Sequence, residues 1–203
     1  MAVDWVTTFA AIGGAVSGGL ITGIFSLKAT DKAFDHRRRH TEEVEARTIE
    51  GLLQAIHDEI ETVMDRYQEA MGVQIESLKD GEPLNTYYPL VSDFFTVYNG
   101  NGFLIGRIAD NDLRKQIIKT YTLAKGIVDS FRMNNDLVGR FEHAKKIYEE
   151  TKQDIHMQQA TAHYDALIEY AKTLKKSHQV LKTEVSSLLR TLRKNGVLSE
   201  NRA

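Results

Sequence analysis

The chain has 203 residues, 28 of them acidic and 26 basic, for a formal net charge of −2. That near-neutral balance argues against a general nucleic-acid binder, and the complete lack of cysteine excludes disulfides, thiolate metal sites and cysteine nucleophiles. The two prolines, Pro83 and Pro89, lie in one short stretch. Elsewhere the chain is free to form long helices without an interior break.

Residues 5–27 carry no charge. As a helix that stretch is roughly 34 Å long, more than the ~30 Å hydrocarbon core of a bilayer. A cleaved signal peptide would need a basic start and a shorter apolar core. Here only Asp4 precedes the run and Lys28 follows it directly, so a retained anchor is expected. Lys28, Lys32, Arg37, Arg38 and Arg39 flank its C-terminal end, and no lysine or arginine precedes it. The expected topology is therefore a single pass through a membrane, with the N-terminus outside and the C-terminal domain cytoplasmic. Phe9, Ile12, Val16, Leu20, Ile24 and Leu27 share one helical face. The opposite side is small: Ala11, Ala15, Gly18, Thr22 and Ser26. Gly14 with Gly18, and Gly19 with Gly23, form two small-xxx-small steps. Such a surface lets helix backbones approach closely in lipid. Self-association through Ala11, Gly14, Ala15, Gly18, Gly19, Thr22 and Gly23 is the expectation, against plain glycine tolerance as the alternative. A ring of these faces could line a narrow wet path.

Residues 41–80 hold eleven acidic side chains against Arg47, Arg66 and Lys79, a local charge of −8. Residues 170–194 hold seven basic ones against Glu184, a local charge of +6. The two segments can pack on each other, or the basic one can meet lipid headgroups or nucleic acid. Ile49, Leu53, Ile56, Ile60, Val63, Tyr67 and Ala70 repeat at steps of three and four, a heptad seam. It fits either a parallel coiled coil between subunits or one side of an intramolecular bundle.

Residues 79–89 (KDGEPLNTYYP) read as a loop. A short helix is expected over residues 90–98, then a turn at Asn99-Gly100-Asn101-Gly102. Asp110 is an N-cap candidate. Leu113, Ile117, Tyr121, Ala124, Ile127 and Phe131 give the next helix its apolar face, and Asn134-Asn135 reads as a turn ending it. A last long helix follows, with a buried stripe from Leu137 through Leu167, Leu174, Leu181 and Val185 to Leu192. Asn195-Gly196 closes it after Arg193 and Lys194, cations that suit a helix C-terminus. The fold class expected is all-α: an anchor (1–28), a charged stalk helix with a heptad seam (29–80), and the remainder of a roughly four-helix cytoplasmic bundle (81–203).

Chemical motifs are sparse. His36 and His40 lie one turn apart but flank the Arg37–Arg39 cations, which oppose a metal. His156 and His163 share a face of the last helix and read as ordinary surface histidines. Neither the Glu-x-x-His of di-iron bundles nor the His-Glu-x-x-His of zinc proteases occurs. Arg140 and His143 are spaced too closely for the Arg/His pair of helical HEPN-class ribonucleases. Phe94, Phe95, Tyr98, Tyr121 and Phe131 sit at core spacing, unlike exposed base-stacking rings. Tyr87, Tyr88 and Pro89 form a candidate protein-contact patch. The sequence thus offers no catalytic residue, no metal ligand and no cofactor site, and nucleic acid is not an expected partner.

In outline, the anchor with Gly14, Gly18, Gly19 and Gly23 and its basic flank resembles small membrane effectors of bacterial antiviral systems. Among these is the membrane accessory protein that accompanies type VI-B CRISPR effectors. The resemblance implies an oligomeric, pore-like assembly with a HEPN-like bundle. The expected function is accordingly a non-enzymatic, homo-oligomeric membrane protein in contact with lipid, perturbing the membrane in antiviral defence. The alternative is a membrane-tethered adaptor or sensor whose bundle docks a protein partner. A third possibility is an enzyme with an unrecognised site, in which His143 or His163 would matter.

Overall fold

A computed structural model describes the backbone of residues 5–90 and 94–197, and the side chains of residues 32–90 and 94–197. Every regular element among the described residues is helical: α1 (Trp5–Tyr67), a π-helical turn (Gln68–Gly72), α2 (Val73–Ser77), α3 (Thr96–Gly100), α4 (Gly102–Gly106), α5 (Asn111–Thr151) and α6 (Asp154–Lys194). The all-α expectation holds. No helix among the described residues is long and apolar enough to cross a membrane. The side chains of residues 5–27, on which the anchor and its self-association face rest, lie outside those described, as does Lys28.

The chain divides into two compact units, Met1–Thr48 and Ile49–Ala203. In the first, the described residues 32–48 are helical and mostly exposed, including Lys32, Arg37, Arg38 and Arg39. Local ties stitch them together: Arg38 pairs with Glu42 at 2.9 Å, and the Thr41 and Thr48 hydroxyls donate to carbonyls four residues back.

The second unit holds the core. Leu52, Ile56 and Ile60 of α1 are buried, with Ile49, Leu53, Val63 and Tyr67 packed beside them. The heptad seam from Ile49 to Tyr67 is thus covered from within the chain. It then departs from the sequence pattern. Ala70, the next seam position, is exposed, and Met71 and Ile75 take the buried side instead. The cause is the π-turn at Gln68–Gly72, whose wider winding rotates the following residues around the axis.

α5 and α6, 41 residues each, form an antiparallel hairpin. Their direction follows from cross-links between the start of one and the end of the other, Lys119–Glu184 at 2.5 Å and Gln116–Ser187 at 2.9 Å. Two terminal signals behave as expected. The Asp110 side chain accepts from the Asp112 and Leu113 N–H groups. At the far end, Gly196 adopts φ +79° while Val197 N–H returns to the Leu192 carbonyl and Gly196 N–H to that of Arg193. This is a Schellman closure, with Val197 and Leu192 both buried against the core.

Three expectations are corrected. Asn134-Asn135 ends no helix: α5 runs unbroken past it to Thr151. The last helix begins at Asp154 rather than near Leu137, after a sharp reversal in which Lys152 takes a left-handed conformation (φ 54°) and returns its N–H to the Tyr148 carbonyl. The periodicity over residues 137–192 concealed this break, because both hairpin arms bury one face against the other. Phe94 and Phe95 precede α3 rather than lying within a helix, and Asn99-Gly100 end α3 before the turn at Asn101.

The two asparagines instead hold the non-helical segment that follows α2. Asn135 brackets Tyr88, its Oδ1 accepting from the Tyr88 N–H (3.0 Å) and its Nδ2 donating to the Tyr88 carbonyl (2.7 Å). Buried Asn134 donates to the carbonyls of Leu84 (3.1 Å) and Thr86 (3.4 Å). A segment without a ladder partner must satisfy its backbone through side chains. Replacing Asn135 by Ala is expected to cost about 1–3 kcal/mol in denaturant unfolding and to speed amide exchange at Tyr88. Unchanged exchange at Tyr88 would refute this role.

Candidate functional site

The second unit carries a cleft of about 810 Å³. Its floor is apolar: Ile60 and Val63 from α1, Ala124, Ile127 and Phe131 from α5, and Leu181 and Val185 from α6. Tyr88, Leu90, Phe94 and Phe95 wall it from the segment before α3. Along α1 and into the π-turn the lining runs from Ala55 to Ala70, a distance of about 20 Å.

Glu59 fixes one end of this wall. Its carboxylate accepts from the N–H groups of Val97 (2.7 Å) and Tyr98 (3.2 Å), and from the Tyr121 hydroxyl (2.7 Å). It therefore caps α3 from another helix, where the first N–H groups have no partner of their own. The residue entering α3, Phe95, is left-handed (φ 69°, ψ 46°), a conformation costing a non-glycine residue about 1–2 kcal/mol. Its buried ring meets Tyr121 edge-on at 5.3 Å, and Tyr98 stacks on Tyr121 at 4.0 Å. Burial, reinforced by the bond to Glu59, pushes the Tyr121 phenol above its ordinary pKa. It stays a donor at any physiological pH.

A second polar network ties α1, α2 and α6 together. Buried His178 lies between the Tyr67 hydroxyl (Nδ1, 2.8 Å) and Glu76 (Nε2, 2.9 Å), and Lys182 donates to the same Glu76 oxygen at 2.6 Å. Burial raises the Tyr67 pKa, with Glu76 adding to the effect. The phenol is thus protonated and available to donate to Nδ1, leaving the ring proton on Nε2 to face Glu76. Hydrogen bonds from Lys182, then from His178 and Gln68, lower the Glu76 pKa to about 2. Gln68 lies in the π-turn; its Oε1 is buried and has no partner among the described residues. A methyl group at Gly72 would run into that carboxamide, so glycine keeps room for it.

A third network joins His57 to α6. Arg193 donates from Nε to His57 Nε2 (3.2 Å) and from Nη2 to Glu61 (2.6 Å). Because arginine can only donate, the His57 proton sits on Nδ1, 3.1 Å from Asp58. The acidic and basic segments therefore do pack on each other, through Glu61–Arg193 and Glu76–Lys182. The Lys175 ammonium also donates to the Leu78 carbonyl at 2.6 Å.

Chemically, these networks are closed. Both nitrogens of His57 and both of His178 are occupied, so neither ring is free to move a substrate's proton. The histidines that stood out in the sequence lie elsewhere. His36 and His40 are exposed. His143 and His163 line one surface hollow on the hairpin with Arg140, which is paired to Asp136 at 2.8 Å. His156 lies on α6, with Nδ1 3.4 Å from Gln159. Among the described residues no three His, Asp or Glu side chains are grouped to hold a metal ion. Of the loop aromatics, Tyr87 and Pro89 are exposed, while Tyr88 turns inward onto Phe131 at 5.1 Å. His57 and His178 were missed because apart from any family motif only position marks them. His178 falls in the stripe of Leu174, Leu181 and Val185, and His57 sits beside Ile56.

Two outcomes follow. Glu59→Ala strands two backbone N–H groups and a buried phenol and should cost about 3 kcal/mol or more in denaturant unfolding, with Glu59→Gln milder. An Ala variant as stable as the wild type would remove Glu59 from this role. Glu76, with its folded pKa depressed, adds stability that is complete above about pH 4.5 and lost as pH falls toward about 2. Glu76→Gln should therefore lie below wild type in melting temperature at pH 7, with the gap closing over that acid window. A gap constant from pH 7 to pH 2 would contradict the assignment. No known protein family, curated protein or solved structure matches the chain.

Proposed function

We propose that the chain is a single-pass membrane protein without enzymatic activity, which senses through its helical bundle and assembles through its anchor. The observation that carries the sensing half is the cleft: a long apolar hollow walled by elements that Glu59, Asn134 and Asn135 hold in place. Preformed, mostly apolar hollows of roughly 300–1,000 Å³ are the usual form of a ligand site. The charge-free run of residues 5–27, followed by Lys28, Lys32, Arg37, Arg38 and Arg39, supports the anchor and a cytoplasmic C-terminal domain. The heptad seam from Ile49 to Tyr67 is turned inward, and this reading assigns contact between copies to the small residues from Ala11 to Gly23. Membrane perturbation in antiviral defence, by a HEPN-like bundle on a pore-like assembly, is the output that the resemblance implies.

The adaptor reading draws on exposed Tyr87 and Pro89 at the rim of the same segment. Sizing the detergent-extracted chain separates the two. Assembly through the anchor predicts a defined oligomer that Gly18→Leu shifts toward monomer. A wild-type monomer, or an oligomer indifferent to Gly18→Leu, favours the adaptor. Release of the intact chain from membranes by alkaline carbonate would defeat both.

A further inference from the structure

The lining of the cleft restricts what can enter it. Among the described residues, three charged side chains line it: Asp58, Glu59 and Arg66. Both carboxylates are already engaged, Asp58 with His57 and Glu59 with two N–H groups and a phenol. Arg66 is exposed and has no hydrogen-bond or ion-pair partner among the described residues. One turn earlier on the same face, Thr62 presents a hydroxyl at the same lip. Among the described residues, the hollow thus joins an apolar floor to one uncommitted cation. It is also elongated along α1, a shape that suits an extended chain better than a compact ring system.

Resting on the sensing role argued above, we infer that the cleft binds a long-chain carboxylate, its hydrocarbon tail along the apolar floor and its anionic head on Arg66 and Thr62. A guanidinium matches a carboxylate in a two-pronged fork, and the tail gains by leaving water. A neutral long-chain alcohol would keep the tail contacts and lose the head. A cationic amphiphile would face Arg66 with a like charge.

The test uses the full chain in phosphatidylcholine vesicles with a photoreactive palmitate, the labelled sites being mapped by mass spectrometry. Labelling is expected on the floor and wall of the cleft, around Val63, Phe94 and Ile127. Arg66→Gln should lower it roughly fivefold, the scale of one solvent-exposed ion pair. Ala70→Trp, at an exposed lining position, should block it for steric reasons while leaving the fold intact. A photoreactive hexadecanol should label weakly and respond to Ala70→Trp but not to Arg66→Gln. Labelling confined to residues 5–27 overturns the inference. So does cleft labelling indifferent to Arg66→Gln, or a cross-link from the cleft to a second copy of the chain. Flotation of the same vesicles reads the anchor separately. A chain that floats but is unlabelled in the cleft sinks the ligand and leaves the membrane reading standing. A chain that fails to float sinks the membrane reading, and cleft labelling still decides the ligand.

Discussion

An irregular segment pressed against helices has no ladder to join, and every carbonyl and N–H it buries needs a partner brought from elsewhere. The chain between α2 and α3 is in that position. Its solution is to use side chains from rigid helices as substitute backbone. Asn135 pairs with both polar groups of Tyr88, as a neighbouring strand would, and Asn134 takes two carbonyls. At the other end, Glu59 takes the first N–H groups of α3. With those ends fixed, Tyr88 and Phe95 can rest on Phe131 and Tyr121, and the wall of the cleft is set.

The same economy explains where the charges went. A local −8 beside a local +6 invites a search for outside partners, yet Glu61, Glu76, Lys182 and Arg193 meet within the chain. Exposed ion pairs contribute little energy, each on the order of 0–1 kcal/mol. Their effect is on alignment: they set the register of α6 against α1 and α2. Buried His57 and His178 sit beneath these pairs, each with both ring nitrogens partnered, and extend them into networks. Arg66 is the contrast. It lies on the same acidic helix, faces the cleft and is left without a partner among the described residues.

The π-turn after Tyr67 connects these features. By rotating the helix face it takes Ala70 out of the buried row and puts Met71 and Ile75 into it. Tyr67 therefore ends the seam beside His178, Glu76 follows on the side facing Lys182, and Ala70 opens onto the end of the cleft. A regular helix through the same residues would have kept the heptad and closed Ala70 against the hairpin.

Local signals in the sequence were enough for the all-α class, for the Asp110 cap, for the Asn195-Gly196 closure and for most of the buried stripe, since capping chemistry and helical periodicity are read within a few residues. The hairpin reversal at Lys152 was not legible, because two antiparallel helices that bury one face against each other share one continuous apolar rhythm. Asn134-Asn135 looked like a helix end for a related reason. Polar residues in an apolar face signal a break unless a distant backbone comes to meet them, and that meeting is a fact of tertiary structure. The same holds for the cleft, for Glu59 as a cap, and for the two histidines that matter. Each depends on pairs 38 or more residues apart, which no local pattern encodes.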